Sequence, residues 1–325
     1  TLNNTQEGQF FEALVLALRV QVNNAKQATG KTKVMSIALP INIAKLTATS
    51  NGAAPYGINW SKLVSAVDWI NIMAFDAHGQ FDAADPSLMT PLDQAPANEI
   101  VPVIQFLISQ GLSSKQILLG LPTYSREQMV NTKPTSANNY VYGLNAAMNP
   151  ATIPGLSVYY PDANFADAPN IAPYYPSGGM SDNTGVYSYS CMVGASSTCA
   201  APSYMPSTTD NRGLFGQPLP ADVKTVLIAD SSSYNVPHAW AYSQLLGAVV
   251  QSPSYGYNVW VNSSSVIGGY AVFSYDNPTV INAKINNIVR QYGLGGVWFW
   301  DIENDTYNDA SKSLYITATT GLGTH

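Results

Sequence analysis

The sequence is poor in charge, cysteine and histidine. Of its 325 residues only 10% are Asp, Glu, Lys or Arg, with 14 Lys+Arg against 20 Asp+Glu and a net charge of −6. That balance excludes the basic footprint of a nucleic-acid partner. No block of like charges is present, which excludes a charged disordered tail. No run of 18 apolar residues is present either, which excludes a membrane-spanning helix. The three histidines, His78, His238 and His325, are isolated, and the two cysteines form no second pair, so metal-ligand spacing is missing. Cys191 and Cys199 lie close together in CMVGASSTC. They read either as a short-loop disulfide of an exported protein or as two free thiols. The chain begins at Thr1 without Met or a signal-peptide pattern, which reads as a processed or truncated start. What is abundant is apolar and aromatic: 46% hydrophobic residues and 20 Tyr. A neutral, tyrosine-rich surface suits uncharged polar ligands such as carbohydrate better than phosphates. The length fits about two domains or one large barrel.

Along the first 130 residues, helix and strand patterns alternate. Phe10, Phe11, Leu14, Leu18 and Val22 recur at three-to-four spacing, predicting an amphipathic helix over 8–26 that stops at Gly30. Short apolar runs follow at 33–40 (KVMSIALP), 68–76 (DWINIMAFD) and 116–124 (QILLGLPTY). They are separated by helix patterns near 60–67 and over 98–111. Nearly continuous apolar strands are those of a parallel sheet covered on both faces. The alternation predicts an α/β fold, with Asp76, Tyr124 and Arg126 just after the strands. In a (β/α)8 barrel such strand ends carry the site. From about 128 to 270 Asn, Ser, Pro, Gly and Tyr dominate, which predicts an inserted α+β or loop-rich domain with one helix near 238–250. From 280 the earlier style returns, with a helix (VINAKINNIVRQYG), a strand at 295–303 (GGVWFWDIE) and a closing helix (SKSLYITATTG).

Four segments carry a resemblance: DWINIMAFDAHGQFD (68–82), KQILLGLPTYSRE (115–127), FSYDNPTVINAKINNIVRQYG (273–293) and LGGVWFWDIENDT (294–306). In this order they resemble the family 18 glycoside hydrolases, the chitinase family. The family's Met-x-Tyr-Asp on strand six is here Met73, Ala74, Phe75 and Asp76. Its Gly-x-x-x-Tyr-Gly-Arg on strand seven is Gly120 to Tyr124, Ser125 and Arg126. Its last strand is matched by Leu294, Gly295, Gly296 and Trp300, followed by Asp301, Glu303 and Asp305. TGVYSYSC (184–191) looks like the family's Gly-x-x-x-Tyr segment inside the insertion. The family's signature Asp-Gly-x-Asp-x-Asp-x-Glu, whose Glu is the acid, has no counterpart in these residues, and the opening helix resembles the helix that follows it.

The resemblance therefore implies the second half of a (β/α)8 TIM barrel, strands five to eight, with an α+β insertion domain after strand seven. The expected division is 1–127 for strands five to seven, 128–270 for the insertion, and 271–325 for the closing helix, last strand and final helix. Without 128–270 the chain falls well short of the about 250 residues of a whole barrel. The missing half-barrel, in cis or on a companion chain, becomes an expected partner, because a lone half exposes two sheet edges.

The resemblance also implies roles. Trp300 is the floor under the sugar, whose C–H face stacks on an indole plane. Asp76 is a cleft carboxylate near the cleaved bond, against the alternative of a helix N-cap. Met73 lies on the cleft floor. Tyr124 bonds the sugar carbonyl, and Arg126 offers five fixed donors for hydroxyls, against a structural ion pair. Phe75 stands where the family has Tyr and lacks the hydroxyl that holds the N-acetyl group. Trp298 shares the side of Trp300 by period two. Asp301, Glu303 and Asp305 read as a solvated loop and helix start, and His78 as a loop residue. Tyr159, Tyr160, Tyr174 and Tyr175 are open candidates for the groove wall.

The implied reaction is hydrolysis of β-1,4 N-acetylglucosamine links in chitin or chito-oligosaccharides. The substrate's acetamide is the nucleophile and the upstream Glu the acid. No metal or organic cofactor is implied, and a secreted location is expected. Two rival readings stand beside it: a chitin-binding, lectin-like protein, and a scaffold subunit of a toxin complex.

Overall fold

The computed structural model describes residues 5–43, 46, 58–77, 89–90, 100–130, 186–193, 224–228, 234, 236, 238–251, 258–306 and 309–323. It divides into two compact units. The first comprises Thr1–Ala77, Thr90–Leu121 and Lys284–Trp300; the second His78–Met89, Pro122–Ala283 and Asp301–His325.

The first unit is the parallel α/β part. Helix α1 (Thr5–Thr29) leads into β1 (Ser36–Pro40), α2 (Trp60–Ala66), β2 (Trp69–Met73), α3 (Ile100–Ser109) and β3 (Ile117–Pro122). Helix α5 (Pro278–Lys284) lies in the second unit but for its last residue, and from Lys284 the first unit resumes with a π-helical turn (Ile285–Val289) and β9 (Gly296–Trp300). The sheet order is β1-β2-β3-β9. Strands β1 and β2 pair in parallel from Ser36↔Trp69 to Pro40↔Met73, and β2 pairs β3 in parallel from Ile70↔Ile117 to Ile72↔Leu119. Ile70, Ile72, Ile117, Leu119 and Leu121 are fully buried, whereas Trp69 is exposed and Asn71 and Met73 are half-buried on the alternate positions of β2, so the sheet is not covered on both faces as the apolar runs predict. Helix α3 supplies Ile100, Val101, Val103, Ile104 and Leu107 to that core. Local chemistry sets the helix starts. Asn59 caps α2 by accepting from the Lys62 amide at 3.1 Å. In the second unit Asn277 does the same at the start of α5 for the Val280 amide at 3.0 Å, with Pro278 in the first helical position. Gly295 is obligatory where β9 meets β3: a Cβ there would lie 2.1 Å from the Lys115 carbonyl oxygen.

The helix predicted over 8–26 forms, yet its apolar stripe points outward. Phe10, Leu14 and Leu18 are 63%, 56% and 46% exposed. The physical reason is a second, mixed row on the same helix. Val15 is buried, the Glu12 carboxylate accepts from the Asn59 amide at 2.6 Å, and Arg19 donates to the Ala66 carbonyl at 2.5 Å and to Asp68 at 2.6 Å. These bonds fix the rotation of α1 about its axis. Asp68 also accepts from the Met35 amide at 2.7 Å. Burial would raise its carboxyl pKa, but the Arg19 hydrogen bond, the Met35 amide and the Arg19 charge outweigh it and hold the group below the usual carboxylate range.

The second unit contains an antiparallel sheet of order β5-β4-β8-β7-β6. Its strands are β4 (Tyr124–Val130), β5 (Val186–Ser188), β6 (Lys224–Ile228), β7 (His238–Gln251) and β8 (Asn258–Tyr275), with the short α4 (Tyr189–Met192) after β5. The helix expected near 238–250 is instead strand β7. It ladders against β8 from Ala239↔Tyr275 to Gln251↔Asn258. Trp240, Tyr242, Val249 and Val250 are strand-favouring types, and tertiary pairing overrides the weak helical spacing. The unit closes with a 3-10 turn (Ile302–Asn304) and α6 (Leu314–Leu322).

Candidate functional site

In the first unit, the carboxyl ends of β2 and β9 carry the predicted groups. Met73, the last residue of β2, is half-buried. Phe75 is 8% exposed, and its ring meets Trp298 edge-to-face at 5.5 Å. Asp76 is half-buried and has φ +56°, the only described non-glycine residue in the left-handed region. Asp tolerates that conformation better than most side chains. Trp300, at the end of β9, is 56% exposed. An indole left open at a strand end is a flat apolar surface available for stacking.

The aromatic pair spans the intervening strand. Trp298 on β9 reaches β2, donating from Nε1 to the Ile72 carbonyl at 3.1 Å. It passes over Gly120 of β3, where a Cβ would lie 2.5 Å from the Ile72 oxygen, 2.8 Å from Phe75 Cε1 and 3.1 Å from Trp298 Cε2. The sequence signals for this were the period-two relation of Trp298 to Trp300 and the glycine of the strand-seven motif. Neither gave the hydrogen bond.

In the second unit, Tyr124 and Arg126 follow β3 as expected and lie on β4, an antiparallel strand. They pair with Ser188 and Val186 of β5. Tyr124 is buried, and the Arg126 guanidinium carbon sits 5.5 Å from its ring centroid, a cation-π contact. The neighbouring Thr123 hydroxyl donates to the Asp301 carbonyl. Asn304 Nδ2 donates to the Asp301 carboxylate. Tyr189 lies in the TGVYSYSC segment; its amide donates to the Thr123 carbonyl at 2.8 Å and its hydroxyl to the Lys312 carbonyl at 2.9 Å. Burial, with Tyr275, Asp305 and Asp309 nearby, pushes that hydroxyl well above the usual tyrosine range.

The acidic trio after β9 separates into different roles. Glu303 is exposed. Asp305 is 2% exposed and accepts from the Ser313 hydroxyl at 2.8 Å and from the amides of Leu314 and Tyr315 at 3.0 and 2.9 Å. It is the capping carboxylate of α6, satisfying donors that the helix itself cannot. Among the described residues no group of three or more His, Cys, Asp or Glu could hold a metal ion. No described helix is long and apolar enough to cross a membrane. His78, Tyr159, Tyr160, Tyr174, Tyr175 and Cys199 lie outside the described residues, and with Cys199 the question of its pairing to Cys191.

A parallel β/α sheet with its polar and aromatic groups at the carboxyl ends of the strands is an arrangement of the TIM-barrel α/β class. The model of the glycosyl hydrolases family 18 matches residues 2–305, and the chain belongs to that family. Its solved structural relatives agree in fold. A family 18 chitinase from Cycas revoluta, solved with (GlcNAc)3, superposes with a TM-score of 0.57 at 17% identity, covering 99% of this chain and 66% of that one. A class V chitinase from Nicotiana tobaccum gives 0.55 at 16%, covering 98% and 64%. A chitinase-like agglutinin from Robinia pseudoacacia gives 0.56 at 14%, covering 98% and 65%. The chain thus spans just under two thirds of the length of these relatives. No curated protein matches it.

Proposed function

We propose that this protein recognises chitin or chito-oligosaccharides and forms the substrate-binding half of a family 18 chitinase. The acid Glu would lie on a βα half-barrel outside these residues, in cis or on a companion chain. The observation that carries the sugar reading is the open indole of Trp300 at the end of β9, in a unit whose β2 ends in the bent segment bearing Asp76. Three features support the missing half. The first-unit sheet has four described strands, with β1 and β9 at its edges. The stripe of Phe10, Leu14 and Leu18 is uncovered. About a third of the Cycas revoluta relative has no counterpart in this chain. The division at 127/128 and 270/271, and export from the cell, belong to the same proposal.

In this reading Trp300 stacks the sugar at the cleavage point, and Asp76 faces the acetamide and the leaving oxygen. Tyr124 and Arg126 bond carbonyl and hydroxyl groups, and Met73 lines the floor. The acetamide attacks the anomeric carbon, and the Glu first donates a proton and then takes one from water. Binding alone is the second reading, and Phe75 favours it. Its buried ring has no hydroxyl to hold the acetamide, and loss of one aimed donor costs about 2.7–4 kcal/mol of transition-state stabilisation.

The test is hydrolysis and calorimetric binding of (GlcNAc)4 by the 325-residue chain, alone and mixed with the N-terminal half-barrel of a family 18 chitinase. Binding that requires Trp300, with cleavage only in the mixture, is the expected result. Cleavage that Phe75→Tyr increases at unchanged affinity would locate the catalytic deficit in the missing hydroxyl. Absence of binding in either form would overturn the proposal.

A further inference from the structure

We infer that Trp298 is the positioning residue for Asp76: its indole N–H, laid across Gly120, clamps the Ile72 carbonyl and holds the bend that puts Asp76 in the left-handed conformation. The geometry lies within the first unit. Strand β2 ends in a three-residue turn, with the Ala74 amide donating to the Ile72 carbonyl at 2.9 Å. The same oxygen accepts the Trp298 indole N–H at 3.1 Å. Both lone-pair directions of this carbonyl are therefore used, one by the turn and one by the clamp. Two residues beyond the turn, Asp76 stands at φ +56°.

A non-glycine residue persists there only where its surroundings over-determine it. The surroundings are visible. Ala74 and Ala77 are buried at 0% and 3%, and Phe75 is pinned edge-to-face on Trp298. One side chain thus holds the segment twice, by a hydrogen bond before the bend and a ring contact within it. Gly120 is the condition for both, since any Cβ would collide with the Ile72 oxygen and the Phe75 ring. The role in sugar recognition rests on the reading above; the role in setting the backbone does not.

The decisive experiment is a double-mutant cycle on stability with the full chain. Neither Gly nor Ala carries the Asp carboxylate, so the difference between Asp76→Gly and Asp76→Ala reports the left-handed conformation alone. With Trp298 present, Asp76→Gly melts a few degrees above Asp76→Ala. In combination with Trp298→Phe, which keeps a ring beside Phe75 and removes the N–H, the gap closes because residue 76 is free to relax. A gap of equal size in both backgrounds overturns the inference. In parallel, calorimetry with (GlcNAc)4 compares wild type with Trp298→Phe. A weakening of about tenfold, matched by Asp76→Ala and not deepened in the double variant, is the expected result. If wild type does not bind the tetrasaccharide, the proposed function fails while the stability cycle still decides the role of Trp298.

Discussion

Helices α1 and α3 both belong to the first unit and both carry runs of apolar residues, yet those residues meet opposite fates. Helix α3 buries Ile100, Val101, Val103, Ile104 and Leu107. Helix α1 exposes Phe10, Leu14 and Leu18 and is held by Val15 and by the polar bonds of Glu12 and Arg19. Periodicity announces that a helix has an apolar face. It does not say what covers that face. For α3 the cover is its own sheet. For α1 most of the stripe is left open, with Phe10, Leu14 and Leu18 exposed.

The comparison can be broken by substitution. The largest effect is expected at Ile104→Ala, which empties a fully buried site and should cost about 2–5 kcal/mol in denaturant unfolding. Next is the Arg19–Asp68 tether that orients α1. The Asp68 pKa is lowered on folding, so its stabilisation is present above the ordinary carboxylate pKa of about 3.9 and is lost as pH falls through the lower folded value. The Asp68 side chain is 37% exposed, so solvent screening limits the effect to under about 1 kcal/mol. Stability measured from pH 6 downward should fall more steeply in wild type than in Asp68→Asn. The smallest effect is expected at Leu14→Ser, within about 0.5 kcal/mol for the chain alone. The same change should weaken assembly with an N-terminal half-barrel severalfold in a pull-down titration. If Leu14→Ser costs as much as Ile104→Ala, the two helices are not different and the open-face reading fails.

Legibility in the sequence followed the same division. The parallel unit was readable because its strands are short apolar runs and its first helix has three-to-four apolar spacing closed by Gly30, all local signals. Strand β7 was not, because HAWAYSQLLGAVV has no strong local preference and its pairing with β8 decides the outcome. The strand that follows β3 was not visible for a related reason. Tyr124 and Arg126 join a second sheet through partners at 186–188, some sixty positions away, which no window around them displays. Motif order singled out Asp76 and Trp300, which stand at the carboxyl ends of β2 and β9. The cross-strand bond from Trp298 to Ile72 spans 226 residues and could only be seen in three dimensions. Asp305, expected in a solvated loop, is buried because it reaches the first amides of α6 from nine and ten positions away, whereas the local N-cap is Ser313, whose hydroxyl accepts from the Ile316 amide.

The placement of β9 beside β3 sets the order of events as the chain is made. Strands β1 to β3 and their helices are contiguous and can associate as soon as they leave the ribosome. The bond from Ser114 to the Gly293 carbonyl, by contrast, closes a span of 179 residues. Loop closure grows only as the logarithm of length, so so long a detour between adjacent strands is thermodynamically cheap but slow. Trp298 and Trp300 therefore arrive last, and the ends of β2 wait for them through synthesis of the whole intervening stretch. A stalled or clipped chain that stops before β9 lacks both Trp298 and Trp300, and with them the indole bond to the Ile72 carbonyl.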